Sequence, residues 1–183
     1  VTDYPIIFSA PMVRALLDGR KTQTRRLAWR LTTHRGRYCE APTIWQKVKP
    51  GDRLYVRERF SYDRLDIDRN GMAPPWYWAD GNPERGDWTK PKPSIHMPRW
   101  ASRLTLGVTE KRQDPLLDIS EKDAQAESFQ PEDIGDSFAS AAGVFQIYWS
   151  EIHPDWDGVS SPEVVALTFT VHQLNIDSME AAA

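Results

Sequence analysis

Cysteine is almost missing from this chain. Cys39 stands alone among 183 residues, which excludes an intramolecular disulfide and a thiolate metal cluster and fits a reducing, cytoplasmic setting. Long apolar runs are missing too. Nothing approaches the ~18 residues of a membrane span, and the start lacks the charged, apolar, small-residue order of a secretory leader, so a soluble protein with no membrane partner is expected. Positive charge is not in excess: 23 Lys and Arg stand against 26 Asp and Glu, for a net charge of -3. That balance argues against coating nucleic acid by bulk electrostatics and requires any such partner to be met locally. There is no phosphate-binding glycine loop, no Gly-x-Ser-x-Gly elbow and no His-Glu-x-x-His, so common nucleotide, serine-hydrolase and zinc-protease chemistries lack a foothold.

The length suits one core that buries roughly 70% of the unfolded surface. "YPIIFS" (4–9) reads as a short buried strand. Ser9 and Pro11 then open a helix whose apolar face is Met12, Val13, Leu16 and Leu17, with Gly19 as its left-handed stop. "KPGDRLYVRERF" (49–60) gives a turn and then the period-two alternation of a half-buried strand, which returns in 102–116. Residues 118–127 read as a helix capped by Ser120, with Asp123 in the place of a capping-box acid. A second helix is expected over 141–153 and a last strand over 163–174, with the tail "SMEAAA" frayed. Many short strands and few helices fit a small mixed β-barrel better than a parallel βαβ sheet.

Residues 61–98 mix Pro, Gly, Asp, Arg and Trp without a period and read as a long loop region on that barrel. Within it "DIDRNG" (66–71) imitates the opening of a calcium loop, but Tyr77 stands where a bidentate Glu is needed, so a polar turn is expected. "HPDWD" (153–157) offers hard metal ligands, yet a helix-ending turn explains it more economically. Trp76, Trp78, Trp88 and Trp100 lie among Arg85, Lys90, Lys92, Arg99 and Arg103. Such a mixture can stack a nucleobase near a phosphate, though packing of the loop accounts for most of these rings. Trp78, Arg99 and Trp100 are the substrate-binding candidates among them.

The stretch "LLDGRKTQTRR" (16–26) carries the most chemistry. A lysine beside Arg20, Arg25 and Arg26 sits in a field that disfavours its charged form, and burial lowers its pKa further. Lys21 can then act as a base for the hydroxyl of Thr24. In a straight strand residues 21 and 24 face opposite sides, so only a turn or bulge at the helix exit lets them converge. On spacing alone, a solvated basic turn is the simpler reading.

"PIIFSAPMVRALLDGRKTQTRR", "PGDRLYVRE", "SIHMPRWASRLTL", "LDISEKDAQAE" and "VVALTF" occur in the order expected of ASCH-domain proteins, and the chain resembles the phage and prophage type of that family over most of its length. The resemblance implies an α+β fold, a PUA-like β-barrel with flanking helices forming a single domain over 1–183, and a cleft for RNA or nucleoside ligands. A smaller bacterial branch, which hydrolyses N4-acetylcytidine, is similar in its Gly-Arg-Lys-Thr-x-Thr segment and its Ser/Thr-Glu-Lys-x-Ala helix. Carried across by position, it implies Lys21 as catalytic lysine, Thr24 as nucleophile, Glu127 as catalytic glutamate and Arg26 as a substrate or oxyanion contact. Glu121 and Asp123 compete with Glu127 for its place, and the region 61–98 departs from that branch. The expected activity is metal-independent removal of an acyl group from a modified cytidine or deoxycytidine nucleoside, with no cofactor. An RNA-binding module and a ribonuclease are the alternatives, and oligomeric state is left open.

Overall fold

The computed structural model describes residues 1–64, 74–135 and 140–180. Nine strands are described: β1 (Asp3–Ile7), β2 (Gln23–Leu27), β3 (Trp29–His34), β4 (Arg37–Pro42), β5 (Arg53–Arg57), β6 (Phe60–Ser61), β7 (Trp76–Tyr77), β8 (Thr105–Pro115) and β9 (Glu163–His172). The described helices are α1 (Ala10–Leu17), α2 (Glu121–Ala126), α3 (Ala141–Ile152) and α4 (Ile176–Glu180). The main sheet is mixed and five-stranded, in the order β1-β5-β8-β9-β2. It is open, with β1 and β2 as its edges, which corrects the expectation of a closed barrel. The two remaining pairs, β3-β4 and β6-β7, form separate two-stranded sheets instead of closing it. The mixed α+β character stands.

The backbone divides into two compact units. The first comprises residues 1–19, 51–107 and 170–183. Here β1 pairs in parallel with β5, and directly opposed Asp3 and Arg53 form a two-pronged ion pair. Ile6, Val13, Leu16, Leu54, Val56, Leu104 and Leu106 are buried, so the helix face and the strand alternation read from the sequence are the ones that make this core. Gly19 ends α1 at φ +72°, the left-handed conformation its position requires. The described part of 61–98 is irregular but packed: Phe60, Met97 and Ala101 form a buried cluster with Tyr62 and Tyr77 against it. The imitation calcium loop lies outside the described residues. The tail is helical through Glu180, which corrects the expected fraying over 178–180; 181–183 lie outside the described residues.

The second unit comprises residues 20–50 and 108–169. β2 pairs antiparallel with β9, setting Thr24 opposite Leu167. Val164, Val165, Ala166 and Leu167 are all buried, so this strand is covered on both faces. Helix α3 buries Ala141, Val144, Phe145 and Trp149, one stripe at helical spacing, and Phe129 meets Phe145 edge-on at 5.5 Å. Ser120 caps α2 by accepting from the Asp123 N–H, whereas the Asp123 carboxylate turns to arginines instead of completing the box.

Candidate active site

In the second unit Arg20 and Thr22 are exposed and Arg26 is half-buried, but Lys21, Gln23, Thr24 and Arg25 are buried, so the reading of a solvated turn fails. Lys21 is 1% exposed, Thr24 0%, Arg25 2% and Glu127 3%. Burial of this much charge requires partners, and the end of α2 supplies them. Residues 20–22, the irregular link into β2, are matched in reverse order to residues 126–128. Arg20 Nη1 donates to Ser128 Oγ (2.8 Å), Lys21 Nζ donates to Glu127 Oε2 (2.7 Å) and to its backbone carbonyl (3.1 Å), and the Thr22 N–H donates to the Ala126 carbonyl (2.8 Å). The Thr22 carbonyl accepts from the Phe169 N–H, which ties the link to β9.

The ending of α2 aims Glu127 at this link. The Phe129 N–H bonds the Ala124 carbonyl and the Ser128 N–H bonds the Gln125 carbonyl, the double bond pattern that closes a helix around a left-handed residue. That residue is Ser128, at φ +75°, where glycine is usual and a side chain costs about 1 kcal/mol. The Ser128 hydroxyl is the group that receives Arg20.

Strand parity sorts the rest. Gln23 and Arg25 project to one face of β2, Thr24 and Arg26 to the other. Arg25 donates to Asp123 Oδ2 (3.0 Å) and to Gln23, lies 6.0 Å from the centre of the Phe145 ring, and reaches to 3.6 Å from Glu127 Oε1. Arg26 Nη1 donates to Thr24 Oγ1 (3.1 Å), with its guanidinium 5.9 Å from the centre of the Trp45 ring. Lys21 lies before the strand begins, so period-two alternation does not bind it.

Burial lowers the Lys21 pKa below the ordinary lysine value; Glu127 opposes this, while the charges of Arg26 and Arg25 reinforce it, and the net direction is down. Glu127 acts electrically on Arg26 as well, so the cations of both strand faces lie in the field of one carboxylate. Burial alone would raise Asp123, but bonds from Arg112 and Gln23 and the charges of Arg25 and Arg112 hold its carboxyl below the usual range. Among the described residues, two buried side-chain atoms lack a hydrogen-bond partner, Glu127 Oε1 and Arg25 Nε, and both belong to this cluster.

The competing acids have other work. Glu121 accepts from the N–H groups of Ala141 and Ala142 and so caps α3, while Asp123 bridges Arg25, Gln23 and Arg112. Glu127 is the acid on Lys21. Sequence reasoning set Arg25 beside Lys21 and offered Asp123 as an alternative acid, but it did not place Gln23 or Trp45 in the cluster; the shared parity of residues 23 and 25 was the available signal for Gln23.

The remaining candidates fall in the first unit. Trp78 Nε1 donates to Ser61 Oγ beneath Arg59, and Arg99 is bound by Asp3 (2.6 Å) and Asp177 (2.7 Å). Both are built into that unit's packing. Trp100 stacks on Tyr62 and is 45% exposed. The indoles of Trp76 and Trp88 donate to the carbonyls of Gly81 and Arg85. At 153–157, His153 packs on Trp149 and Asp157 Oδ1 accepts from Val159 and Ser160, a turn. Among the described residues no group of three His, Cys, Asp or Glu is placed to hold a metal ion, and no described helix is long and apolar enough to cross a membrane.

No protein-family model matches the chain, and comparison with curated proteins and with solved structures finds no match either.

Proposed function

We propose that the chain is a PUA-like, ASCH-type amidohydrolase that removes an acyl group from the N4 amine of cytidine, deoxycytidine or a related modified cytosine. The observation that carries this reading is the pairing of a buried Lys21, its pKa lowered chiefly by burial, with Glu127, together with a buried Thr24 hydroxyl, in the strand that follows Lys21, bonded to Arg26. A structural ion pair alone accounts for Lys21 and Glu127. It does not account for the hydroxyl under a guanidinium, nor for Glu127 Oε1, a buried acceptor that among the described residues has no hydrogen-bond donor and only a longer ion pair to Arg25 at 3.6 Å.

In the reaction, neutral Lys21 Nζ takes the proton of Thr24 Oγ1 as that oxygen bonds to the acyl carbon. Arg26, already directed at this oxygen, stabilises the negative charge that develops there and on the carbonyl. The carbon–nitrogen bond breaks, and the proton held by Lys21 passes to N4, leaving cytosine with its free amine. Glu127 Oε1 accepts a hydrogen bond from N4–H and orients the amide, while Oε2 holds Lys21. Water, deprotonated by Lys21, then attacks the acyl ester on Thr24 and releases the carboxylic acid, and the hydroxyl proton is restored. No step requires a metal.

The test is incubation with N4-acetylcytidine and N4-acetyl-2′-deoxycytidine in the presence of a chelator, following the absorbance change to the free nucleoside. Chelator-resistant turnover is expected. Absence of turnover with these and with larger N4-acyl groups would leave a binding module instead, read by salt-dependent association with RNA. Cleavage of RNA that depends on a 2′-hydroxyl would point to the ribonuclease reading.

A further inference from the structure

Between Gly19 and Gly51 the chain contains nine Lys and Arg and a single acid, Glu40. A protein of net charge -3 thus concentrates a charge of +8 in one segment, and the rest of the molecule carries -11. Three of the nine, Lys21, Arg25 and Arg26, belong to the cluster around Glu127, and the exposed Arg20 bonds the adjoining Ser128. Three others, Arg30, Arg35 and Arg37, are exposed on the β3-β4 ribbon, which the sequence pattern did not announce.

The ribbon's register divides it into two unlike faces. Arg30 opposes Ala41, Thr32 opposes Cys39 and His34 opposes Arg37, so one face carries two arginines and a histidine with small residues between them and no carboxylate. Trp29, Leu31, Thr33, Tyr38, Glu40 and Pro42 occupy the other. Arg35 and Gly36, at φ +50° and +77°, form the two-residue tip of a type I′ turn. Arginine there accepts a left-handed backbone at a cost of about 1 kcal/mol and adds a fourth basic side chain at the tip. Strands of six residues make an arm of about 20 Å.

The root of this arm is fastened to the active-site strand. One residue, Ala28, separates β2 from β3; its carbonyl accepts from the Thr43 N–H and from Gln46 Nε2, while Thr43 Oγ1 donates to the Leu27 carbonyl. Trp45, just beyond the returning strand, lies against Arg26.

We propose that the β3-β4 ribbon is an arm for single-stranded nucleic acid, its basic face holding consecutive phosphates so that a cytosine of the strand is delivered to Thr24. The second half of the statement rests on the hydrolase reading; the first does not. A polyanion is the occupant that matches a carboxylate-free basic face in an otherwise acidic protein. A single strand is the form required because chemistry at N4 needs an unpaired base.

The experiment uses labelled oligocytidylate, as RNA and as DNA, without any acyl group, titrated with the full chain over a range of salt. The comparison is a triple variant, Arg30→Ala with Arg35→Ala and Arg37→Ala. Wild-type binding should weaken steeply with salt, and the variant should lose affinity at least tenfold, with a log–log salt slope shallower by about 2 for three lost phosphate contacts. Hydrolysis of the free N4-acetylated nucleoside should be unchanged in the variant, which also reports that it folds. Lysine at the same three positions should restore most of the binding. Equal preference for RNA and DNA would place recognition on phosphate alone, as proposed, and discrimination by the 2′-hydroxyl that survives in the triple variant would overturn it. The proposal also falls if the wild type does not bind, if the variant binds with the same slope, or if the ribbon mediates self-association that Leu31→Ser and Tyr38→Ser abolish while oligonucleotide binding is untouched by the arginine changes. Loss of binding in the variant together with no nucleoside turnover in the wild type would keep the arm and remove the hydrolase.

Discussion

Lys21 Nζ and Glu127 Oε2 stand 2.7 Å apart, both almost wholly buried, and the second oxygen of the same carboxylate has no hydrogen-bond donor among the described residues. A pair built only for stability would be expected to satisfy both oxygens. Among the described residues the second oxygen keeps only a 3.6 Å ion pair to Arg25, and in the proposed reaction it is the acceptor for the substrate N4–H.

The pH dependence follows from the direction of the Lys21 shift. In the proposed reaction its neutral form is the base, so kcat/KM should rise with pH along a limb centred below the ordinary lysine value of 10.5. Glu127 raises the Lys21 pKa, so Glu127→Gln should move that limb to lower pH while reducing the plateau. A limb unmoved by the substitution would show that the titrating group is not Lys21.

Asp123 is the stability partner of the cluster. Its carboxylate bonds Arg25, which is 2% exposed, and Asp123→Ala leaves that guanidinium with one bond to Gln23, at a cost of about 2–3 kcal/mol in chemical denaturation. The Asp123 pKa is lowered on folding, so its contribution is present above the unfolded value of 3.8 and is lost as pH falls through the lower folded value. The gap between wild type and variant should therefore close in acid. Arg112→Ala should cost less than 1 kcal/mol, because that side chain is more than a third exposed.

Ser128 tests how Glu127 is aimed. Ser128→Gly relieves a left-handed residue but loses the bond from Arg20, and these small opposed effects should leave stability within about 1 kcal/mol of wild type. Ser128→Val places a β-branched side chain in the same conformation and should destabilise by about 2 kcal/mol. It should also lower turnover beyond its effect on stability, measured at a temperature where the variant is fully folded.

Much of the fold was legible because its signals are local. The helix from Ala10 ends at Gly19 as its spacing requires, and Leu54 and Val56 alternate inward as a half-buried strand should. Barrel closure was not legible, since it depends on which strand edges meet and no residue pattern encodes that. The β3-β4 ribbon escaped for a different reason: with almost every residue exposed it has no buried face, and so no apolar alternation to read. At the site, Lys21, Thr24 and Arg26 could be named from their segment. The residues alone left Glu121, Asp123 and Glu127 in competition as the acid on Lys21, and it was the resemblance that implied Glu127; what separates their directions is the end of the helix, with Glu127 at its cap and a left-handed exit at Ser128.

The most direct measurement is metal-free turnover of N4-acetylcytidine by the wild type beside Thr24→Val and Lys21→Ala, with folding of each variant checked by circular dichroism. Valine keeps the shape of Thr24 and removes only the hydroxyl, so the account predicts a loss of at least a thousandfold in kcat with a folded protein, and a comparable loss in Lys21→Ala. Wild-type turnover that persists in folded Thr24→Val would contradict it, by showing that the attacking oxygen is not the one Arg26 holds.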